Sequence, residues 1–166
     1  MFKIRLIYIL IFTIGLFSCS QQDNKQLPIY NPVDFKPKLV DKSVRNITKN
    51  HTVADFSLTN QNGINITNKD YENKIYVVDF FFTSCPSICP IMTNNMIKIQ
   101  DEFINNDDIM LLSMSVTPEI DTVEVLKKYA IEKRVNDSKW NITTGSKKHI
   151  YELARKSYFA VVEQGD

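Results

Sequence analysis

A mixed α/β sheet with helices on both faces is the fold class this sequence predicts, on three observations. Apolar runs of strand length alternate with amphipathic stretches of helix length from Val53 onward. The run Ile75–Phe82 is almost continuously apolar, the pattern of a strand buried on both faces. It passes directly into Thr83-Ser84-Cys85-Pro86-Ser87-Ile88-Cys89-Pro90, so two cysteines stand between a strand end and a helix start. Open α/β sheets bind their ligands at such places.

The first 50 residues lie outside that alternation. Lys3 and Arg5 form a short positive region, and Leu6 to Phe17 is almost wholly apolar. A bilayer span takes roughly 20 residues, so this shorter run fits an export signal over residues 1–18 better than a membrane helix. It ends in Leu16-Phe17-Ser18-Cys19, which resembles a bacterial lipobox with a bulky residue at Phe17. On that resemblance Cys19 is the lipidated first residue of the mature chain; the alternative is an uncleaved short anchor with a spare thiol. Either reading places the domain outside the cytoplasm on a membrane, as a bacterial lipoprotein facing the periplasmic side. Residues 19–50 are polar, carry Pro28, Pro32 and Pro37, and read as a tether. Tyr30, Val33, Phe35 and Leu39 are the tether residues able to dock on the domain.

The domain proper occupies residues 51–166. Val53–Leu58 and Ile64–Ile66 flank Asn60-Gln61-Asn62-Gly63, a hairpin with a glycine turn. After the cysteines, Ile88, Met92, Met96, Ile99 and Phe103 mark the apolar stripe of a helix that ends at Asn105-Asn106-Asp107. At that spacing Met92 and Met96 read as core residues. Ile109–Val116 is a second buried strand. Asp121, with Glu124 three residues on, reads as the capping box of a helix that buries Val125, Leu126, Tyr129 and Ala130. Trp140–Thr143 is a short strand, Gly145-Ser146 opens a helix with Ile150, Leu153 and Ala154 inward, and Phe159–Val162 begins another strand. A cysteine pair after a central strand in this order makes the fold thioredoxin-like.

Composition removes several function classes. Twenty Lys and Arg against 19 Asp and Glu leave a net charge of +1, which gives no field for nucleic acid. Four glycines and no internal period exclude a glycine-turn repeat protein. Three cysteines, with Cys19 remote from the other two, are no disulfide framework.

Cys85 and Cys89 therefore carry the chemistry. Residues i and i+4 fall on one side of a helical turn, so both sulfurs reach one point. Pro86 and Pro90 lack the N–H, which confines the helix to starting here, with Cys85 on the turn and Cys89 in the first turn of helix. The dipole's positive end favours the thiolate, the form that attacks disulfides and binds metals. A stapling disulfide is the plain alternative, but so short a loop contributes only roughly 2 kcal/mol by chain entropy. Dithiol oxidoreductases usually space their cysteines by two residues; the three here leave room for a metal. Two thiolates suit Cu(I), and Cu(II) also wants an imidazole nitrogen. Asp79, on the same strand, reads either as a partly solvated or capped carboxylate near the sheet edge or as a buried one with a raised pKa able to exchange protons with a cysteine.

The stretch Phe81–Pro90 closely resembles the copper-site motif of the Sco/SenC proteins. Ser115–Thr122 with Leu126–Ala130, and Trp140–Gly145, resemble the same family's second and third signatures. The resemblance runs from about His51 to the end. It implies a thioredoxin-like copper metallochaperone that delivers copper to the binuclear centre of cytochrome c oxidase or keeps that centre's thiols reduced. The implied metal ligands are Cys85 and Cys89, which form a disulfide when oxidised, and the implied partners are the oxidase copper subunit or another copper chaperone. The enzyme alternative is a thiol–disulfide oxidoreductase or thiol peroxidase using the same pair. Thr117 stands where the family usually has Asp, so a nearby carboxylate is expected to be missing. The family's third ligand is a His downstream of the third signature, and this chain holds only His51 and His149, both expected at the surface. The resemblance thus implies a chain cut before the sheet's closing elements, with one strand edge exposed.

Overall fold

The computed structural model describes residues 27–160; the expected signal, Cys19, and residues 161–166 lie outside the described residues. Among the described residues five strands form one mixed sheet: β1 (Ser57–Asn60), β2 (Asn65–Thr67), β3 (Ile75–Phe81), β4 (Ile109–Ser115) and β5 (Trp140–Thr144), in the order β2-β1-β5-β4-β3. β3, β4 and β5 are parallel, with Asp79 beside Ser113 and Phe81 beside Ser115, while β1 runs antiparallel to β5 and β2. Helices α1 (Ile88–Glu102) and α2 (Val123–Glu132) cover one face; α3 (Lys147–Glu152), continued by a π turn over Leu153–Ser157, covers the other. This is the thioredoxin-like architecture that the alternation predicted.

The period-2 geometry of β4 and β5 divides the core. Leu111, Trp140 and Ile142 face α1 and α2, whereas Leu112 and Met114 face Ile150 and Leu153 on the α3 side. All are essentially inaccessible to water, and burial of each large apolar side chain contributes about 1.5–3 kcal/mol. The hairpin turn holds as expected: Gly63 sits at φ +74°, and the Asn60 side chain accepts the N–H groups of Asn62 and Ile64.

Several expectations need correction. β3 is not central among the described residues but lies at the sheet margin, so its inner positions are only half-buried. α1 leaves Ile88 and Phe103 exposed and Met92 and Ile99 half-buried, with Ile99 against the core; its fully buried stripe is Cys89, Thr93, Met96 and Gln100. Two polar members of that stripe have internal partners. Thr93 shares a hydrogen bond with the Tyr129 hydroxyl (2.7 Å), and Gln100 accepts from the Asn136 N–H (2.7 Å). The cap of α2 is Thr122, not Asp121, and Val125 is exposed. Phe159 and Ala160 are not in a strand, and Phe159 has φ +54°.

The tether is not simply an extended spacer. Residues 32–34 and 37–39 form single 3₁₀ turns, Pro32 and Val40 are buried, and the Phe35 ring lies 4.9 Å from Phe159. Tyr30, Val33 and Leu39, expected to dock, stay exposed.

Candidate metal and thiol centre

β3 ends at Phe81, and the Cys85 N–H donates to the Phe82 carbonyl (3.3 Å), closing a turn before α1 begins. Helix starts leave N–H groups without intrahelical partners. Ser87, the residue before α1, supplies no side-chain cap. The Cys85 sulfur takes that place: it accepts the Cys89 N–H at 3.4 Å. Both cysteines are unpaired thiols, with Cys85 8% and Cys89 4% exposed, and their side chains are within hydrogen-bonding reach of each other.

The two thiols are made unequal. Donation from the Cys89 side chain, then from the Ser87 and Cys89 backbone N–H groups, lowers Cys85 to about 7. Burial, and donation to Cys85, push Cys89 up to about 11. At neutral pH Cys85 is thus about half ionised while Cys89 keeps its proton.

Asp79 points into the same face of the sheet as Cys89. Burial raises it to about 6, against the opposing effect of the Ser113 hydroxyl that donates to it. Ser113 in turn accepts from the Trp140 indole N–H (2.9 Å), so the carboxyl is fixed by a strand-to-strand relay. The charge of Asp79 is one of the influences that raise Cys89.

The main residue the sequence reading misplaced is Asp121. It is fully buried behind the cysteine turn, where it accepts from the Thr83 N–H (3.2 Å) and from the hydroxyls of Thr83, Ser115 and Thr117. Thr117, where the resemblance implies a missing carboxylate, donates its hydroxyl to Asp121. The signal was legible in principle, since hydroxyls at two strand ends and one loop need a common acceptor once buried.

The histidines are elsewhere. The His51 ring N–H donates to the Ser157 carbonyl (2.9 Å) with Phe159 packed 4.6 Å away, so His51 is a half-buried clasp rather than a surface residue. His149 is half-buried in the first turn of α3. Among the described residues no three His, Cys, Asp or Glu side chains converge as a metal site. The donor set present is two soft sulfurs, which fits a two-coordinate soft ion or a dithiol couple.

Comparison with known proteins agrees with this geometry. A sequence model of the SCO1/SenC family matches residues 44–166. The chain is similar to a SCO1 protein homolog of Bacillus subtilis, 36% identical over 117 residues; the match covers 69% of this chain and 61% of the relative. A solved structure of BsSco, described as having a disulfide switch and as a member of the Sco family of cytochrome c oxidase assembly proteins, superposes with a TM-score of 0.62. It is 36% identical, covering 69% of this chain and 68% of that one. The copper-bound ScoI of Arabidopsis thaliana gives a TM-score of 0.52 at 33% identity, over 61% of this chain and 63% of that one. A matched family model across most of the described domain, on a sheet that places two facing thiols at a helix start, shows that this chain belongs to the SCO1/SenC family.

Proposed function

We propose that this protein binds Cu(I) through Cys85 and Cys89 on the extracytoplasmic side of a membrane and passes it to the copper subunit of cytochrome c oxidase. The observation that carries this reading is the shared position of the two sulfurs, one accepting the N–H of the other's residue at the start of α1. Copper would supply a soft cation that two thiolates neutralise. Cys85 enters as thiolate near neutral pH, and Cys89 must lose a proton, for which Asp79 is the internal acceptor. Exposed Ile88 and Ile91 on the first turn of α1 give a docking partner an apolar rim beside the pair. Residues 1–18 act as the signal, Cys19 carries the lipid, and a third ligand is supplied from outside the described residues.

The asymmetry of the thiols supports a second reading, reduction of the oxidase's own disulfide. Cys85 thiolate attacks one target sulfur and the other leaves as thiolate; Cys89, on losing its proton, then attacks Cys85 in the mixed disulfide and releases the first target sulfur as a second thiolate. Two electrons pass to the target, and this protein is left with a Cys85–Cys89 disulfide.

Titration of Cu(I) against a chromophoric chelator tests the first reading. One ion per reduced chain is expected, lost in both Cys85→Ser and Cys89→Ser; stoichiometric binding that survives both substitutions excludes this site. Mass measurement of the membrane-extracted protein tests the lipid on Cys19.

A further inference from the structure

The near-zero net charge conceals a division. Residues 27–50 carry five Lys or Arg and two Asp, and residues 146–160 carry four Lys or Arg and one Glu. The stretch between them, 51–145, carries eight Lys or Arg and thirteen Asp or Glu. The two basic stretches pack on one another. Phe35 lies against Phe159, Arg155 reaches Asp41 (3.9 Å), and Ser157 receives both His51 and the Ala54 N–H. The fold thus gathers into one region cations that are more than 100 residues apart in sequence.

We infer that this region seats the domain on anionic phospholipid headgroups. Lys36, Lys38, Lys42 and Lys49 are exposed, and none has a carboxylate partner among the described residues. Exposed apolar side chains accompany them: Leu27, Ile29 and Tyr30 just before the lysines, and Leu39 (42% accessible) and Ile47 (38%) among them. Cations beside exposed aliphatic and aromatic groups suit a headgroup boundary, where ammonium groups meet phosphate and apolar groups sink below it. An acidic protein surface would leave those apolar groups without a matching phase.

Chain length supports the same occupant, and this part rests on the proposed anchor at Cys19. Only 12 residues separate Cys19 from Pro32, the first buried residue of the docked segment. Fully extended they span at most roughly 45 Å. Because Pro32, Phe35 and Val40 pack against the domain, the part of the expected tether over residues 32–40 is held close to it rather than acting as a free spacer. The basic face is therefore held where a screened surface field, decaying over about 8 Å at physiological salt, acts on it repeatedly.

The test uses the full chain with vesicles of neutral phosphatidylcholine or of phosphatidylcholine with phosphatidylglycerol. Flotation reads anchoring, and the rate of tryptic cleavage after Lys49 reads cover of the face. On the anionic vesicles cleavage is expected to be slowed about tenfold relative to the neutral ones. The protection should vanish in 0.5 M salt, where the screening length falls to roughly 4 Å, and in the exposed-site variant Lys36→Glu/Lys38→Glu/Lys42→Glu. Flotation on both vesicle types with equal cleavage overturns the basic-face inference while leaving the anchor intact; an acidic protein partner would give that result. Flotation on anionic vesicles alone upholds the face and removes the anchor. Flotation on neither removes both.

Discussion

A single cysteine sulfur does two jobs in this protein, capping a helix and presenting a nucleophile. Cys85 is an acceptor for N–H groups at the start of α1, and those donors are what make its thiolate stable. Alkylation of the reduced, metal-free protein should therefore show one fast thiol with a midpoint near pH 7, absent in Cys85→Ser. In Cys89→Ser the midpoint should change, because the Cys89 side chain is the largest of the influences on Cys85. An unchanged midpoint would assign the effect to the backbone alone. Asp79 gives a second prediction at this scale. A carboxyl whose folded pKa is raised to about 6 contributes most to stability below its unfolded value and loses that contribution as pH rises through 6. Asp79→Asn should thus gain on the wild type between pH 4 and pH 7, by about 3 kcal/mol at most. Urea unfolding across that range measures it, and a pH-independent difference would count against a buried, ionising Asp79.

At the scale of elements, the site is a junction of three ends held by one carboxylate. β3 arrives through Thr83, β4 through Ser115, and the loop into α2 through Thr117, all donating to Asp121. Asp121→Ala leaves these buried donors without an acceptor and is expected to cost about 2–4 kcal/mol. It should also move the Cys85 alkylation midpoint, since the turn that aims the N–H groups is loosened; loss of stability with an unmoved midpoint would make Asp121 a packing residue only. This junction was only partly legible. The strand ends and cysteine turn follow from apolar runs and prolines, but Asp121 followed three residues later by Glu124 looks like a cap. Only the folded chain shows that its side chain turns inward while Thr122 caps α2. The same limit applies to α1. Ile88, Met92 and Phe103 suggest a stripe, yet the buried face includes Thr93 and Gln100 because Tyr129 and Asn136 are there to bond them.

For the whole molecule, the consequential contact joins its two ends. Phe35 from the N-terminal segment packs on Phe159 after the π turn, with His51 clasped to Ser157 beside them. Phe35→Ala and Phe159→Ala should each destabilise the protein by about 1–2 kcal/mol, and the double variant should show a coupling of about 1 kcal/mol. Additive losses in thermal unfolding would mean that the segment does not dock as described. β3 has no strand beyond it among the described residues, so the strand that leads to the cysteines carries one of the sheet's two unpaired backbone edges.

The sequence by itself determined the elements, their order and the cysteine pair, because hydrophobic period, proline placement and i, i+4 spacing act over a few residues. Tertiary structure alone decided which carboxylate backs the cysteine turn, which face of α1 is buried, that β3 lies at the margin, and that the basic stretches meet. Each of those depends on partners brought from far along the chain: Asp121 to Thr83, Tyr129 to Thr93, Ser157 to His51. No local pattern encodes a partner that is chosen only when the chain has folded.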